Sequence, residues 1–364
     1  MIVHFFTAER YHLAPSIARG FATTYRNDAK EYFVFCGGSQ LNKDLYEKEF
    51  SDFSFDKYTF CQSYWQLLKL LVRFRSNALL FHAGNYSWHL TALLLGCKNV
   101  NWVCWGGGTS ISNNWRSKWI AKVKRFVFNR YHSIVTLMEP ERQDLINNFG
   151  VNPEKIKTIS YTSTALKETE LDLLCKQLAS KESENHQKPI VLLGNSHNWL
   201  NSYIKFIPML AQYKGKIEVQ CMLNYPFEKG KTYEKLISLG KSMFGDDFKT
   251  NENFYSDKKD YINYLNGCDI YICAVKQQTG LGAIRFCLEL GKKIYITGDN
   301  LEWIRQEYKS IVYPIEDISD RLSFEEFARP LSSDVKRHNY QSQVDSIERN
   351  REKWHTYLKE METP

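Results

Sequence analysis

Along this chain, short apolar runs alternate with longer stretches in which apolar residues return every three or four positions. The runs have strand length and the stretches have helix length. In the first half the pattern predicts strands over residues 2–6, 31–36, 78–82, 100–105, 133–137 and 155–160. Helices are predicted over 14–25, 65–74, 88–95, 115–130, 140–149 and 166–178. Residues 179–188 are polar and charged and read as a linker. The pattern then restarts, with strands over 189–193, 217–223, 269–275 and 293–297 and helices over 200–211, 233–243, 261–267 and 283–290. Charged helical segments over 324–327 and 332–360 close the chain. Strands alternating with helices specify an α/β fold with mostly parallel sheets. The expected division is an N-terminal Rossmann-like lobe over residues 1–183, a second over 189–330 and a C-terminal helical segment over 331–364.

In parallel α/β sheets the carboxyl ends of the strands carry the chemistry. Here several strands run into polar or glycine loops. The fullest is Lys276-Gln277-Gln278-Thr279-Gly280-Leu281-Gly282, between a strand and a helix. Free backbone N–H groups at such a helix start, with the helix dipole, suit an anion. Lys276 adds a charge and the two glutamines add polar hands. The plainer alternative is a βα turn that needs glycine only for positive φ. Gly194-Asn195-Ser196 with Asn201 supplies donors for phosphate, or a turn and a helix cap. Tyr225-Pro226 suits stacking on a base or sugar, or a turn with a packed ring. In the first half the strand-end loops hold His82, Asn85, Trp105 and Gly106. His82 reads as a general base or a diphosphate hydrogen-bond donor, or as a buried histidine bonded to backbone.

The length of 364 residues fits two domains, and 43% hydrophobic with 24% charged residues is ordinary for a globular chain. A net charge of +7 favours anionic partners without choosing among them. Nine cysteines without a C-x-x-C pair argue against a disulfide framework and against structural zinc, and for a reducing cytoplasm. No run is long enough for a transmembrane helix, and no secretory signal is read at the start. Residues 115–130 place Trp119, Ile120, Val123, Phe126 and Val127 at helical spacing among six Lys and Arg and no acid. That is a membrane-surface pattern, expected to meet an anionic bilayer; the ordinary alternative turns the apolar stripe inward. Nucleic acid fits less well, because no binding module accompanies the charge.

These residues resemble the bacterial TDP-N-acetylfucosamine:lipid II N-acetylfucosaminyltransferases, glycosyltransferase family 56, over about residues 78–306. Gly194-Asn195-Ser196 with Asn201 is similar to that family's G-N-S followed by N. Tyr225-Pro226 is similar to its G-Y-P. Cys268-Asp269, then Gln277, Gln278, Gly280 and Gly282, are similar to its C-D and R-Q-Q-G-I-G. Phe81-His82 and Trp105-Gly106 are similar to its F-H-G and W-G-A-D. Lys276 stands where the family has Arg, Thr279 reads as an insertion, Gly84 falls one place late and Gly108 falls where the family has Asp.

The resemblance implies a GT-B fold, two Rossmann-like lobes with parallel sheets facing a central cleft, the nucleotide-sugar held mainly by the second. It implies transfer of a 4-acetamido-4,6-dideoxyhexose from TDP to a polyprenyl-diphosphate glycan, by a peripheral protein on the inner face of the cytoplasmic membrane. Expected donor residues are Gly194, Asn195, Ser196, Asn201, Tyr225, Lys276, Gln277, Gln278, Gly280 and Gly282. On the acceptor side stand Asn85, Trp105 and Gly106. His82 leads as the group that deprotonates the acceptor, followed by Glu139 and Glu141. No metal is expected, since protein donors do its work. Two rival readings stay open: a nucleotide-sugar epimerase of similar shape, and a non-catalytic membrane-associated partner in glycan assembly.

Overall fold

The structure is a computed structural model that describes residues 1–8, 14–23, 25, 31–37, 43–44, 46–47, 58–83, 85–105, 109, 115–161, 187–194, 196, 199–223, 229–253, 255, 258–319 and 321–362. The chain divides into two compact units, Met1–Leu166 with Ile347–Pro364, and Lys167–Ser346. Each is an α/β unit built on a parallel sheet.

In the first unit the strands are β1 (Ile2–Thr7), β2 (Glu31–Cys36), β3 (Tyr58–Cys61), β4 (Ala78–His82), β5 (Val100–Val103), β6 (Ser133–Thr136) and β7 (Ile156–Thr158). Their order in the sheet is β3-β2-β1-β4-β5-β6-β7, all parallel. The central strands are mostly apolar because both faces are covered, with His4, His82 and Asn101 as buried polar exceptions. Val3 and Phe5 of β1 point into one core, and Ile2 and Phe6 into the other. The first core is closed by α2 (Tyr64–Arg73), α3 (Tyr86–Leu94), α4 (Trp115–Phe128) and α5 (Glu139–Phe149). The second is closed by α1 (Ala14–Thr23) and by the end of the last helix. The strand order reverses between β1 and β4, and a crevice opens at such a switch point outside the carboxyl strand ends.

The second unit repeats the plan with β8 (Ile190–Leu193), β9 (Glu218–Met222), β10 (Phe248–Asn251), β11 (Ile270–Cys273), β12 (Lys293–Ile296) and β13 (Tyr313–Pro314), ordered β10-β9-β8-β11-β12-β13. Its helices are α6 (Leu200–Phe206), α7 (Lys231–Phe244), α8 (Lys258–Asn266), α9 (Leu281–Glu289), α10 (Gly298–Trp303) and α11 (Phe324–Ala328). The switch point lies between β8 and β11. The final helix, α12 (Ser333–Glu362), starts in the second unit and ends in the first. From the sequence it read as a segment of its own. Instead Trp354, Tyr357, Leu358 and Met361 lie in the second core of the first unit. Strands β3, β10 and β13 and helix α10 were not expected. The helix expected over 166–178 and most of the linker lie outside the described residues.

Candidate functional site

At the switch point of the second unit, the loop after β8 and the loop after β11 stand side by side. Gly194 leaves β8 with φ +83°, and a Cβ there would fall 2.2 Å from the Tyr203 ring. Only glycine permits both the conformation and the approach. The Tyr203 hydroxyl donates to the Ser196 carbonyl at 2.9 Å and accepts from the Ser196 N–H at 3.2 Å. That pair pins the loop's backbone. Trp199 Nε1 then donates to Thr279 Oγ1 at 3.0 Å, tying this loop to the one after β11.

The loop over residues 276–280 is braced from its far side by the turn that follows β12. Asn300, fully buried, donates through Nδ2 to the Thr279 carbonyl at 3.0 Å and accepts from the Thr279 N–H at 3.4 Å. The Asp299 N–H donates to the Lys276 carbonyl at 2.8 Å. Gly298, at φ +63°, lies so close that an added Cβ would fall 2.2 Å from that same carbonyl oxygen. Gly280 caps α9 in the left-handed region, and no side chain caps the helix. The first-turn N–H groups of an α-helix have no intrahelical acceptor. They therefore face the loop as donors with the positive end of the helix dipole behind them.

Lys276 and Gln277 are exposed, and Gln278 is partly buried. Among the described residues no partner holds the Lys276 ammonium. Gln278 Oε1 is shielded from solvent and, among the described residues, has no hydrogen-bond partner. A buried acceptor left without a donor costs about 1–3 kcal/mol, which a ligand's hydroxyl would recover. Gly282 is exposed, with open space where a Cβ would stand. Asn201 is exposed in the first turn of α6. Asn195 and Tyr225 lie outside the described residues. The bracing residues Trp199, Tyr203, Gly298 and Asn300 escaped the sequence reading. Thr297-Gly298-Asp299-Asn300 was the available signal for the last two, being another strand end that turns through glycine into a helix.

In the first unit, His82 ends β4 and is fully buried. Its ring stacks flat on Phe6, with centroids 4.1 Å apart. Its Nδ1 lies 2.6 Å from the Tyr161 hydroxyl and its Nε2 lies 3.0 Å from His4 Nδ1. Trp105 Nε1 donates to the Tyr161 oxygen at 3.0 Å. An indole can only donate, so Tyr161 spends its own proton on His82 Nδ1. His82 then donates from Nε2 to His4, whose Nε2 faces Glu31 Oε1 at 3.6 Å. The chain has one consistent direction from Trp105 to Glu31. Trp354 backs it, stacked on Tyr161 with centroids 5.4 Å apart. Of the readings open for His82, the geometry is that of a buried histidine, but one bonded to the side chains of Tyr161 and His4 and not to backbone, and neither nitrogen is left to face an acceptor. Of the acceptor-side residues expected from the sequence, and among the described residues, only Trp105 joins this cluster, through Tyr161.

The other first-unit residues are placed as follows. Glu141 is buried, and its Oε2 accepts from the Leu137 N–H at 2.9 Å, a structural bond at the start of α5. Glu139 is partly exposed, and its Oε1 accepts from Arg142 at 3.1 Å and from Gln143 at 2.7 Å. Asn85 caps α3, its Oδ1 accepting from the Ser87 N–H at 3.0 Å. Gly106 lies outside the described residues.

Burial holds His82 well below the usual imidazole range, helped by the neighbouring His4. Burial likewise lowers His89 to about 3. Its Nε2 donates to the Ala83 carbonyl at 3.1 Å, and Nδ1 bonds Tyr131. Both rings are neutral in the folded chain. The unfolded chain takes up their protons as pH falls below about 6.5. Their stabilising contribution is therefore complete above that pH and is lost toward acid. For His89 the loss reaches about 2 kcal/mol at pH 5. The melting temperature should fall between pH 7 and 5, and a His89→Gln variant should show a shallower fall over that range. An unchanged slope in the variant would contradict the assignment.

The family model described as 4-alpha-L-fucosyltransferase, glycosyl transferase group 56, matches residues 2–339. No curated protein matches the chain significantly. Among solved structures, a glycosyltransferase from Rickettsia africae ESF-5 superposes with a TM-score of 0.68 at 15% identity, over 99% of this chain and 98% of that one. Anabaena HepE, solved in complex with UDP, gives 0.63 at 12% identity over the same shares. A trehalose 6-phosphate synthase from Burkholderia multivorans gives 0.59 at 11%, over 98% of this chain and 79% of that one. The neighbours share the GT-B fold. With the family model spanning nearly the whole chain, the protein belongs to glycosyltransferase family 56.

Proposed function

We propose that this glycosyltransferase moves a 4-acetamido-4,6-dideoxyhexose from TDP to a polyprenyl-diphosphate-linked glycan, in bacterial surface polysaccharide assembly at the inner face of the cytoplasmic membrane. The observation that carries the donor half is the pair of braced loops at the second switch point, with Lys276, Gln278 and the uncapped start of α9 between them. In the reaction the bond from the sugar's anomeric carbon to the diphosphate oxygen breaks, and the acceptor oxygen takes its place. Negative charge gathers on the departing diphosphate. Lys276 and the first-turn N–H groups of α9 stabilise that charge without a metal. Ser196 and Asn195 add phosphate donors, and Tyr225 borders the nucleotide. Gln277 and Gln278 hold the sugar or ribose. Of the three groups considered for the acceptor's proton, Glu139 has the most exposed side chain, although its carboxylate is bonded to Arg142, Gln143 and Thr158, and it is the one we assign; His82 positions the strand end through Tyr161.

Thermal shift with nucleoside diphosphates tests this reading. A ligand at about a hundred times its Kd stabilises the folded protein by about 2.7 kcal/mol, which raises the melting temperature by a few degrees. TDP should produce that rise, and EDTA should not remove it. A rise with UDP alone would change the donor, for which the UDP complex of Anabaena HepE gives a precedent. A rise that EDTA abolishes would overturn the metal-free mechanism. No rise with any nucleotide would overturn the donor site.

A further inference from the structure

Residues 57–138 contain eleven Lys and Arg and no Asp or Glu, in a chain that has 41 acidic residues elsewhere. Three helices fall within that span, and all lie on one side of the first sheet. Leu67 and Leu71 of α2, Ala92 of α3, and Val127 and Phe128 of α4 share one core. The helices are also neighbours. Tyr64 of α2 bonds Thr91 of α3, and Lys124 of α4 lies over the Tyr86 ring of α3 at 5.2 Å.

The outward side of this layer is apolar to a degree that a solvent face is not. Trp65 is 75% exposed, Leu94 76% and Trp119 66%, with Val72, Ile120 and Phe126 exposed as well. Lys69, Arg73, Lys98, Lys122, Arg125 and Arg130 are exposed on or beside the same helices. Arg130 lies over the Phe126 ring at 3.5 Å, one cation held against one of the apolar groups. A face that met only water would mix acids with bases and keep its large apolar side chains inside. Large exposed apolar side chains set among like charges mark an interaction surface. An anionic bilayer accepts both features at once: headgroups draw the cations, and the acyl boundary takes the Trp, Leu and Ile side chains.

We propose that α2, α3 and α4 together form a membrane-docking layer for anionic lipid, rather than α4 alone. The proposal rests on the lipid-linked acceptor of the preceding reading and widens its membrane contact from one helix to three. The new residues are Trp65, Val72 and Leu94, which lie far in sequence from the Trp-rich basic helix that the spacing picked out.

The test is sedimentation of the full chain with vesicles of phosphatidylglycerol and phosphatidylethanolamine, against vesicles of phosphatidylcholine. Nucleotide thermal shift is run in parallel on every variant. Wild type should bind the anionic vesicles, bind phosphatidylcholine at least tenfold less, and weaken with salt. Trp65→Ser and Leu94→Ser should each weaken binding about tenfold, as should Trp119→Ser, with melting temperature and nucleotide shift unchanged. If only Trp119→Ser weakens binding, the three-helix layer is overturned and the single-helix contact stands. If wild type ignores the vesicles while the nucleotide shift persists, the docking layer fails and donor binding stands. Tighter binding to a single-stranded oligonucleotide than to the vesicles would also overturn it.

Discussion

Lys276→Ala is expected to lower kcat about 10²–10³-fold while the melting temperature stays within about a degree of wild type. The ammonium is exposed and, among the described residues, nothing holds it, so its removal leaves no buried group without a partner. The chain path is set by the Lys276 carbonyl, which accepts from the Asp299 N–H at 2.8 Å and is indifferent to the side chain. The charge matters most when the diphosphate departs. The loss should therefore fall on kcat more than on KM. Lys276→Arg, which restores the family's residue at this place, should keep most of the activity. Unchanged turnover in Lys276→Ala would remove this residue from the mechanism.

Gly298→Ala should damage the same site through the backbone. The new methyl would fall 2.2 Å from the Lys276 carbonyl oxygen and 2.5 Å from its Cα, with φ at +63°. Neither neighbour is the free end of a flexible side chain, so the clash is relieved only by moving one loop away from the other. Left-handed strain and overpacking together should cost about 3 kcal/mol. The displaced loop should also lose nucleotide binding, seen as a missing thermal shift. Gly245→Ala is the control: it has a similar φ of +61° but open space around it, so it carries the strain without the clash. Equal effects of the two substitutions on nucleotide binding would show that contact with Lys276 is immaterial.

The parallel core strands were legible because each is a short apolar run buried on both faces, and the glycine loops after β8 and β11 announced themselves by local chemistry. Three of the four edge strands, β3, β10 and β13, gave no such signal. β10 is Phe-Lys-Thr-Asn, polar at three of four positions, and β13 is only two residues long. The contacts that make the loops into a site were hidden for another reason. Trp199 meets Thr279 across 80 residues of sequence, and Asn300 clasps Thr279 from the next strand's turn. No periodicity encodes such pairings. His82 shows the limit most clearly. Its place at a strand end suits a base, and only His4 and Tyr161, 78 and 79 residues away, reveal that its nitrogens are already engaged.

The last helix has a consequence for how the chain is made. Trp354, fully buried, packs on Phe21 with centroids 5.0 Å apart and donates from Nε1 to the Ser160 carbonyl at 3.0 Å. Asn350 accepts from the Ser160 N–H at 2.9 Å. Residues near the start of the chain thus wait for residues at its end. During synthesis the first unit has all its strands by Thr158 but cannot close its second core until Trp354 to Met361 have been made, whereas the second unit ends earlier, at Ser346. An amino-terminal fragment ending at Leu166 would leave Phe21 and Tyr161 without the ring that covers them, and a stop before Trp354 would harm the unit whose strands are made first.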